Sequence, residues 1–484
     1  MNNHKKILFS NAYFYRFDEK QWETQKPYPP YGTILAAALM REKGFEIALF
    51  DANLRQSPNE IQAQLADFQP DYLVIFDDNF NYLSKMCLNV MREACFDLIR
   101  LGRKSGCKVL VNSADATDHY EKYLEVGADV VLLGEAENTL VELMEHFCHS
   151  EQSEEPLAFQ DLQHIKGIAF LQDEKLLKTP PKTQFIDLDT LPIPTWDLVN
   201  LADYQAIWQN AHGYFSLNIA TTRGCPFKCN WCAKPIYGNR YNVRSPKSVV
   251  EELKLLMQQD GVNHFWVCDD IFGLKPGWIK KFAALLKTEN LQPKLKIQSR
   301  ADLLLKEDTI DDLVTAGLVE VWIGAESGSQ HILDAMDKGI TVEEIEQSTQ
   351  LLKQKGVKVA FFLQYGYLGE TWEDIEKTLK MVKKLLPDDI GISVSYPLPG
   401  TVFHQKIKDQ LTQKQNWQDS NDLDMMYQAT FQPAFYRQLH THTHNVYRKE
   451  KLIKSKSFTS VLKLPIAWAK EKISNQQLEN LKNA

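Results

Sequence analysis

Strand-like and helix-like stretches alternate along most of this chain, and no other feature constrains its fold as strongly. Residues 1–149 hold five short β-rich runs, Lys5–Ser10, Phe45–Phe50, Asp71–Phe76, Cys107–Asn112 and Asp129–Gly134. Between them lie stretches with helical apolar spacing, at Tyr31–Lys43, Ile61–Phe68, Leu83–Lys104 and Asp118–Val126. Parallel strands need long crossovers, and helices in the gaps provide them, so the pattern predicts an α/β domain with a parallel sheet and right-handed connections. Five such units predict a small doubly wound, flavodoxin-like (Rossmann-type) domain. Ligands of such sheets bind beyond the carboxyl ends of the strands. Those ends carry Asn11, Asp51, Asp77 and Asp78, Asn112 and Ser113, and Gly134 and Glu135.

Residues 150–215 break the pattern. An acidic run at Glu151–Glu155 and prolines at 180, 181, 192 and 194 resist helix, and the stretch reads as a linker with a hairpin around Gly167–Lys178. Alternation resumes with a longer stride at Leu217–Thr222, His264–Asp269, Lys294–Ser299, Val319–Gly324, Lys358–Tyr365 and Gly391–Tyr396. Amphipathic helices follow these strands, for example Lys247–Gln259 and Val342–Gln354. Six βα units over 216–410 predict a partial (β/α)6 barrel, with its chemistry at the C-terminal strand ends. Residues 411–484 lack strand alternation and read as a helical C-terminal region.

A chain of 484 residues has room for two to four domains at roughly 100–200 residues each. With 44% hydrophobic and 24% charged residues it has the balance of a globular protein. Its 55 basic and 63 acidic residues leave a net charge of −8, with no electrostatic footprint for nucleic acid. Apolar stretches such as Ile34–Met40 are far shorter than the roughly 20 residues that cross a bilayer. Ser10 and Asn11 interrupt the apolar run at the N-terminus, so neither a membrane span nor a signal peptide is expected, and a cytoplasmic location is.

Of the eight cysteines, Cys87, Cys95, Cys107 and Cys148 are scattered. Cys225, Cys229 and Cys232 share one loop, RGCPFKCNWCAKPIYG (Arg223–Gly238), directly after the first barrel strand, and Cys268 stands downstream. In a reducing compartment a cluster this tight binds metal or does redox work. Three thiolates in a Cys-x3-Cys-x2-Cys loop can hold three irons of a [4Fe–4S] cluster and leave the fourth open to another ligand. The competing reading is a structural zinc site with Cys268 as fourth ligand, although structural zinc usually takes two close pairs and a closed shell.

The loop strongly resembles that of the radical SAM superfamily, down to an aromatic residue, Trp231, before the third cysteine. The resemblance implies that the open iron chelates S-adenosylmethionine (SAM), and that one electron then breaks its sulfonium C–S bond to give a 5′-deoxyadenosyl radical. It implies SAM contacts from Trp231, Asp269, Arg300 and Glu326, the last three at the ends of barrel strands two, three and four. Paired charge-assisted bonds from an arginine suit a carboxylate. A barrel salt bridge or a helix cap explains these residues as well, since Glu326, Ser327 and Ser329 sit where a helix is expected to begin. Gly366, Gly369–Thr371 and Pro397–Thr401 resemble pocket loops of the family, and capping explains them equally.

Ahead of such a barrel, the first domain resembles the cobalamin-binding domain of one large subclass, the branch of anaerobic cyclases of the chlorophyll pathway and cobalamin-dependent radical methylases. Pro27–Met40, Leu132–Leu143 and Phe185–Leu198 carry the local matches, and the resemblance spans roughly residues 5 to 410. It implies cobalamin contacts from Tyr31, Gly32, Asn112, Ser113, Gly134 and Glu135. It also implies an electron donor such as flavodoxin or ferredoxin, and a small-molecule or biosynthetic-intermediate substrate that is methylated or ring-modified. One departure matters: the loop Asn11–Phe17 has no histidine, so the Asp-x-His-x-x-Gly signature that supplies a lower cobalt ligand is absent. A radical SAM enzyme without cobalamin and a non-catalytic zinc-stabilised binding protein are the alternatives. His440, His442 and His444 would share one face of a strand but spread apart on a helix, and a solvated or substrate-facing polar helix is expected there.

Overall fold

The computed structural model describes residues 5–80, 84, 86, 88–150, 159–184, 186–234, 236–414, 416–455 and 457–482. Cys87 and the acidic run at 151–155 lie outside them. The first sheet contains β1 (Lys6–Ser10), β2 (Glu46–Phe50), β3 (Tyr72–Phe76), β4 (Lys108–Asn112) and β5 (Val130–Leu132). They pair in parallel in the order β2-β1-β3-β4-β5, the flavodoxin-like arrangement. β3 is apolar and buried at every position, as a strand covered on both faces must be. The helices Tyr31–Glu42 and Ile61–Phe68 form on the predicted residues.

The sheet is larger than its parallel part. β6 (Ile168–Gln172) and β7 (Lys175–Lys178) form the expected hairpin, but it extends the sheet antiparallel to β5 instead of standing in a linker. Ile168, Ala169 and Phe170 are buried and need a neighbouring strand. The two-residue turn has positive φ at Asp173 (48°) and Glu174 (62°), the geometry that matches hairpin twist. One helical expectation is corrected: the helix expected over Asp118–Val126 begins only at Tyr120, because the non-helical His119 separates it from a short helix, Ala114–Asp118. Of the helix expected over Leu83–Lys104, Asn89–Lys104 is helical, and Leu83 lies outside the described residues. The rest of the linker contains a helix, Leu201–His212, which buries Tyr204 and Trp208 and ends at Gly213 with φ 74°.

β8 (Phe215–Ile219) opens the second sheet, and a short antiparallel pair follows, β9 (Thr222–Arg223) with β10 (Asn242–Val243). β11 (Val262–Val267), β12 (Lys294–Ser299), β13 (Leu318–Glu326), β14 (Lys358–Tyr365) and β15 (Asp389–Val394) complete the six-stranded sheet in the order β8-β11-β12-β13-β14-β15. This chain-order sequence of parallel strands, with helices such as Pro246–Leu256, Val342–Gln354 and Trp372–Leu385 between them, is a half-barrel. Past the barrel, the described residues of 411–432 hold only an isolated bridge, Leu411 to Tyr427, and the helical region proper is Pro433–Ser455 and Phe458–Lys482. No helix among the described residues is long and apolar enough to cross a membrane.

The chain divides into two compact units, one of residues 1–226, 234–270 and 416–421, the other of 227–233, 271–415 and 422–484. The first holds β1 to β11, and the second holds β12 to β15 and the C-terminal helices.

Candidate functional site

In the first unit, the approach to Cys225 is pinned at its base. Asp269, just past β11, is buried and accepts hydrogen bonds from the backbone N–H groups of Thr221 (2.7 Å) and Thr222 (2.9 Å) and from the Thr221 hydroxyl. Burial pushes its carboxyl up to about 6, against the downward pull of those bonds. The carboxylate expected to face SAM is therefore occupied by the backbone that leads to the cysteines. Gly224 follows with φ 75°, and a side chain there would meet the Arg240 carbonyl at 2.5 Å, so only glycine fits.

Arg223 fixes the same turn and was not singled out in the sequence. It is 3% exposed, its two terminal nitrogens donate to Glu135 (2.7 Å) and Glu137 (2.6 Å), and its guanidinium lies over the Tyr237 ring. Burial pulls its pKa down, but the carboxylates outweigh it and hold the guanidinium charged. Glu135 also takes Arg240, so its carboxylate is committed twice. A second buried group lies beside it. Tyr31 donates to Glu252 (3.1 Å), which also takes Arg244 and the Trp196 indole N–H (3.3 Å). Tyr31, Phe80, Thr221, Thr222, Arg223 and Arg244 line a cleft.

The carboxyl ends of the first sheet are polar and buried. The Asn112 side chain donates to Leu132 O (2.9 Å) and Gly134 O (3.1 Å) and accepts from Asn79 Nδ2 (2.9 Å). Ser113 caps the next helix by accepting from Ala116 N, and Gly134, at φ 67°, donates to Thr117 Oγ1. Gly32 N donates to Asp78 (3.0 Å), and a Cβ on Gly32 would crowd Asp77 O and Asn79 N at 3.3 Å. Asp77 is pushed up to about 7 by burial. Asn79 Oδ1 is buried with no hydrogen-bond partner. Asn112, Ser113 and Gly134 thus meet at one strand end, while the side chains of Tyr31 and Glu135 turn to their own ionic partners.

In the second unit, Cys229 and Cys232 lie on one turn, Cys232 N donating to Cys229 O (3.2 Å). Asn230 clamps that turn. It donates to Ala335 O (2.8 Å) and Asp337 (3.0 Å) and accepts from the Tyr367 hydroxyl (2.6 Å). Arg300 lies 3.8 Å over the Phe227 ring, with Nη1 3.9 Å from Cys229 Sγ, and pairs with Asp302. Glu326 ends β13 at φ 57° and accepts from Lys338 Nζ at 2.6 Å, both side chains being buried. Gly324 makes the room: a Cβ there would meet Lys338 Nζ at 2.7 Å. Burial lowers the Lys338 pKa, but Glu326 and Cys229 raise it further, so it stays an ammonium, 5.9 Å over the Trp231 ring. The Trp231 indole N–H is buried without a hydrogen-bond partner. Trp231, Arg300 and Glu326 therefore gather around Cys229, joined by Lys338, which no local pattern announced.

The helix-cap reading of Glu326 is corrected, because the next helix starts at Gln330 behind Ser329. Thr371 and Thr401 are helix caps, one of the two roles open to those loops. Glu370 is not: it is buried, accepts from Gly366 N (2.6 Å), leaves Oε1 without a hydrogen-bond partner and is pushed up to about 8 by burial. The three histidines lie on a packed helix. His442 is buried with Nδ1 3.0 Å from Ser474 Oγ, and the rings of His440 and His444 stand 4.6 Å apart. Cys268 is buried with its thiol on Ile219 O (3.1 Å), whereas Cys225, Cys229 and Cys232 are half-buried. Among the described residues no three His, Cys, Asp or Glu side chains gather to hold a single ion.

The profile of the radical SAM superfamily matches residues 219–382. Among curated relatives, an uncharacterized methyltransferase of Pyrococcus horikoshii is 28% identical over 61% of this chain and 62% of its own length. The anaerobic magnesium-protoporphyrin IX monomethyl ester cyclase of Cereibacter sphaeroides is 26% identical over 79% of this chain and 61% of its own. The chain thus spans about three fifths of the length of these relatives. Among solved structures, the cobalamin-dependent S-adenosylmethionine radical enzyme OxsB, with aqua-cobalamin and S-adenosylmethionine bound, superposes with a TM-score of 0.73 at 17% identity, over 98% of this chain and 72% of that one. The radical S-adenosylmethionine methyltransferase TsrM of Kitasatospora setae, with cobalamin and a [4Fe–4S] cluster bound, gives 0.66 at 18%, over 84% of this chain and 75% of that one. At these identities the structural likeness is one of fold. Residues 219–382, which hold the three-cysteine loop and most of the half-barrel, thus form a radical SAM domain.

Proposed function

We propose that the chain is an enzyme that binds a [4Fe–4S] cluster through Cys225, Cys229 and Cys232, binds SAM beside it, and holds cobalamin at the carboxyl ends of its first sheet. Its reaction in this reading is methylation of, or ring closure at, an unreactive carbon of a small biosynthetic intermediate, with a flavodoxin or ferredoxin as electron donor. The observation that carries the reading is the three-cysteine loop after the first half-barrel strand, in a chain whose other sheet has the flavodoxin-like order. Once bound, the cluster supplies the electron that cleaves SAM, and cobalamin supplies a methyl carrier.

The residues fit these groups. Arg300 and Lys338 are buried cations beside Cys229, where they offset thiolate charge. The unsatisfied Trp231 N–H offers a donor, and Asn79 Oδ1 offers an unmet acceptor at the first sheet's strand ends. Arg223 and Asp269 bind no cofactor in this reading; they hold the loop's backbone in place. Relatives named as a cyclase and as a bacteriochlorophyllide d methyltransferase support both reaction types.

Anaerobic reconstitution is the test. Wild-type protein is expected to carry about four irons per chain. Alanine at Cys225, Cys229 or Cys232 removes iron and SAM cleavage, and Cys268→Ala does not. Full-length protein takes up cobalamin stoichiometrically, and its Co(II) state shows no histidine nitrogen as lower ligand by electron paramagnetic resonance. Iron loading without corrinoid uptake leaves a radical SAM enzyme lacking cobalamin, and zinc in place of iron removes the catalytic reading.

A further inference from the structure

The C-terminal helix pair carries a feature that the radical chemistry does not use. Helix Phe458–Lys482 packs one side on helix Pro433–Ser455, burying Ser460, Ser474 and Leu478 and pairing Glu471 with Lys449 at 2.7 Å. Its other side is apolar and bare. Phe458, Leu462 and Ile466 are 79%, 62% and 61% exposed, and Val461, Trp468 and Ile473 are exposed with them. Positions 458, 461, 462, 465, 466, 469 and 473 keep the i, i+3, i+4, i+7 spacing, so this is one continuous stripe and not scattered residues. Over 15 steps it is roughly 22 Å long at 1.5 Å per residue.

Charge says what covers it. Residues 451–470 contain five lysines and no aspartate or glutamate, in a chain whose net charge is −8. Lys463 and Lys470 sit three before and four after Ile466, along the edge of the stripe. Lys454 is exposed near the end of the preceding helix, beside exposed Ile453. Among the described residues none of these three lysines is ion-paired; Glu450 and Glu471, which flank the segment in sequence, pair with Lys449. A protein partner or a second copy of an acidic chain would need carboxylates placed against each lysine. An anionic lipid surface supplies negative charge everywhere and an apolar layer beneath it, and an apolar stripe with a lysine edge and a tryptophan is the pattern of an interfacial helix.

We infer that the tip of this helix pair, residues 453–455 and 457–473, binds an anionic membrane surface, with the Phe458–Ile473 stripe in the headgroup region and Lys454, Lys463 and Lys470 on lipid phosphates. The enzyme in this reading works on the face of a bilayer without spanning it. Vesicle flotation of the full-length chain tests it. Vesicles of phosphatidylcholine with about one third phosphatidylglycerol are expected to carry the protein, and pure phosphatidylcholine vesicles far less of it. Lys463→Glu with Lys470→Glu lowers the partition at least about tenfold, from the contribution of each lysine near an anionic surface, and Phe458→Ser with Leu462→Ser does the same at every salt concentration. Both pairs are exposed, so unchanged circular dichroism and thermal midpoint show that the fold is intact. Equal binding to both vesicle types, no binding, or self-association that disappears in these variants without any vesicle binding would each overturn the inference. The readout needs no cluster, so its failure is separable from failure of the catalytic reading.

Discussion

Lys338 shows what a single residue holds in place beside Cys229. It is a buried ammonium on Glu326, in space left by Gly324, facing the Trp231 ring. Lys338→Met leaves the Glu326 carboxylate buried and unpaired, and breaking such a pair costs about 3–5 kcal/mol. Urea denaturation of the cofactor-free chain should show that loss, and Lys338→Arg should recover part of it. Loss of less than about 1 kcal/mol would mean that water reaches the pair. The cysteines and Trp231 were legible in the sequence because their chemistry is local, a spacing within one loop. Arg300 and Glu326 were legible as strand-end residues. Lys338 was not, because its partner is defined by the sheet and not by spacing. Tyr31 was legible as the start of a helix, but only the fold reveals Glu252 and Arg244 beside its hydroxyl.

At the scale of elements, the loop that presents the cysteines is closed at its base. The β9–β10 pair joins its two ends, Asp269 holds the N–H groups of Thr221 and Thr222, and Arg223 ties it to Glu135 and Glu137. Asp269→Ala leaves three buried donors without an acceptor, at about 1–3 kcal/mol for each group left unsatisfied. The expected result is a lower thermal midpoint and faster proteolysis within residues 224–241 before the cluster is loaded. Asp269→Asn retains an acceptor and should fall between Ala and wild type. Unchanged proteolysis in the alanine variant would show that the β9–β10 pair suffices. The alternation of strands and helices was readable because each element has its own period. The hairpin's place in the first sheet was not, because strand neighbours are non-local. The break at His119 was lost for another reason: apolar spacing continues across a residue whose backbone leaves the helix.

For the whole molecule, the buried carboxyls set the response to pH. Burial is the largest influence on Asp51, Asp77, Asp269 and Glu370, and it raises them to about 6, 7, 6 and 8. A carboxyl raised in the folded state binds its proton more tightly there than in the unfolded chain. Its stabilising contribution is complete below the ordinary carboxylate range and is lost as pH climbs through the folded value. Asp374 acts in the opposite direction. Although burial alone would raise it, bonds from Ser329 and Thr371 bring it down to about 2, so its contribution is lost as pH falls from about 4 toward 2. The cofactor-free chain is therefore expected to have its highest thermal midpoint at about pH 5, and to lose stability steadily toward about pH 8.5. Glu370 reaches furthest up that limb, with Asp374 and the phenols of Tyr427 and Tyr436 as its charged or ionisable neighbours. Glu370→Gln keeps the shape and the acceptor for Gly366 N but removes the titration, and it should flatten the limb above about pH 7. Asp77→Asn should instead flatten it between about pH 5 and 7, leaving the upper part as steep as in wild type. If the Gln variant follows the wild-type curve over the whole range, Glu370 is ionised in the folded chain, and the unpartnered Oε1 must be hydrated in solution.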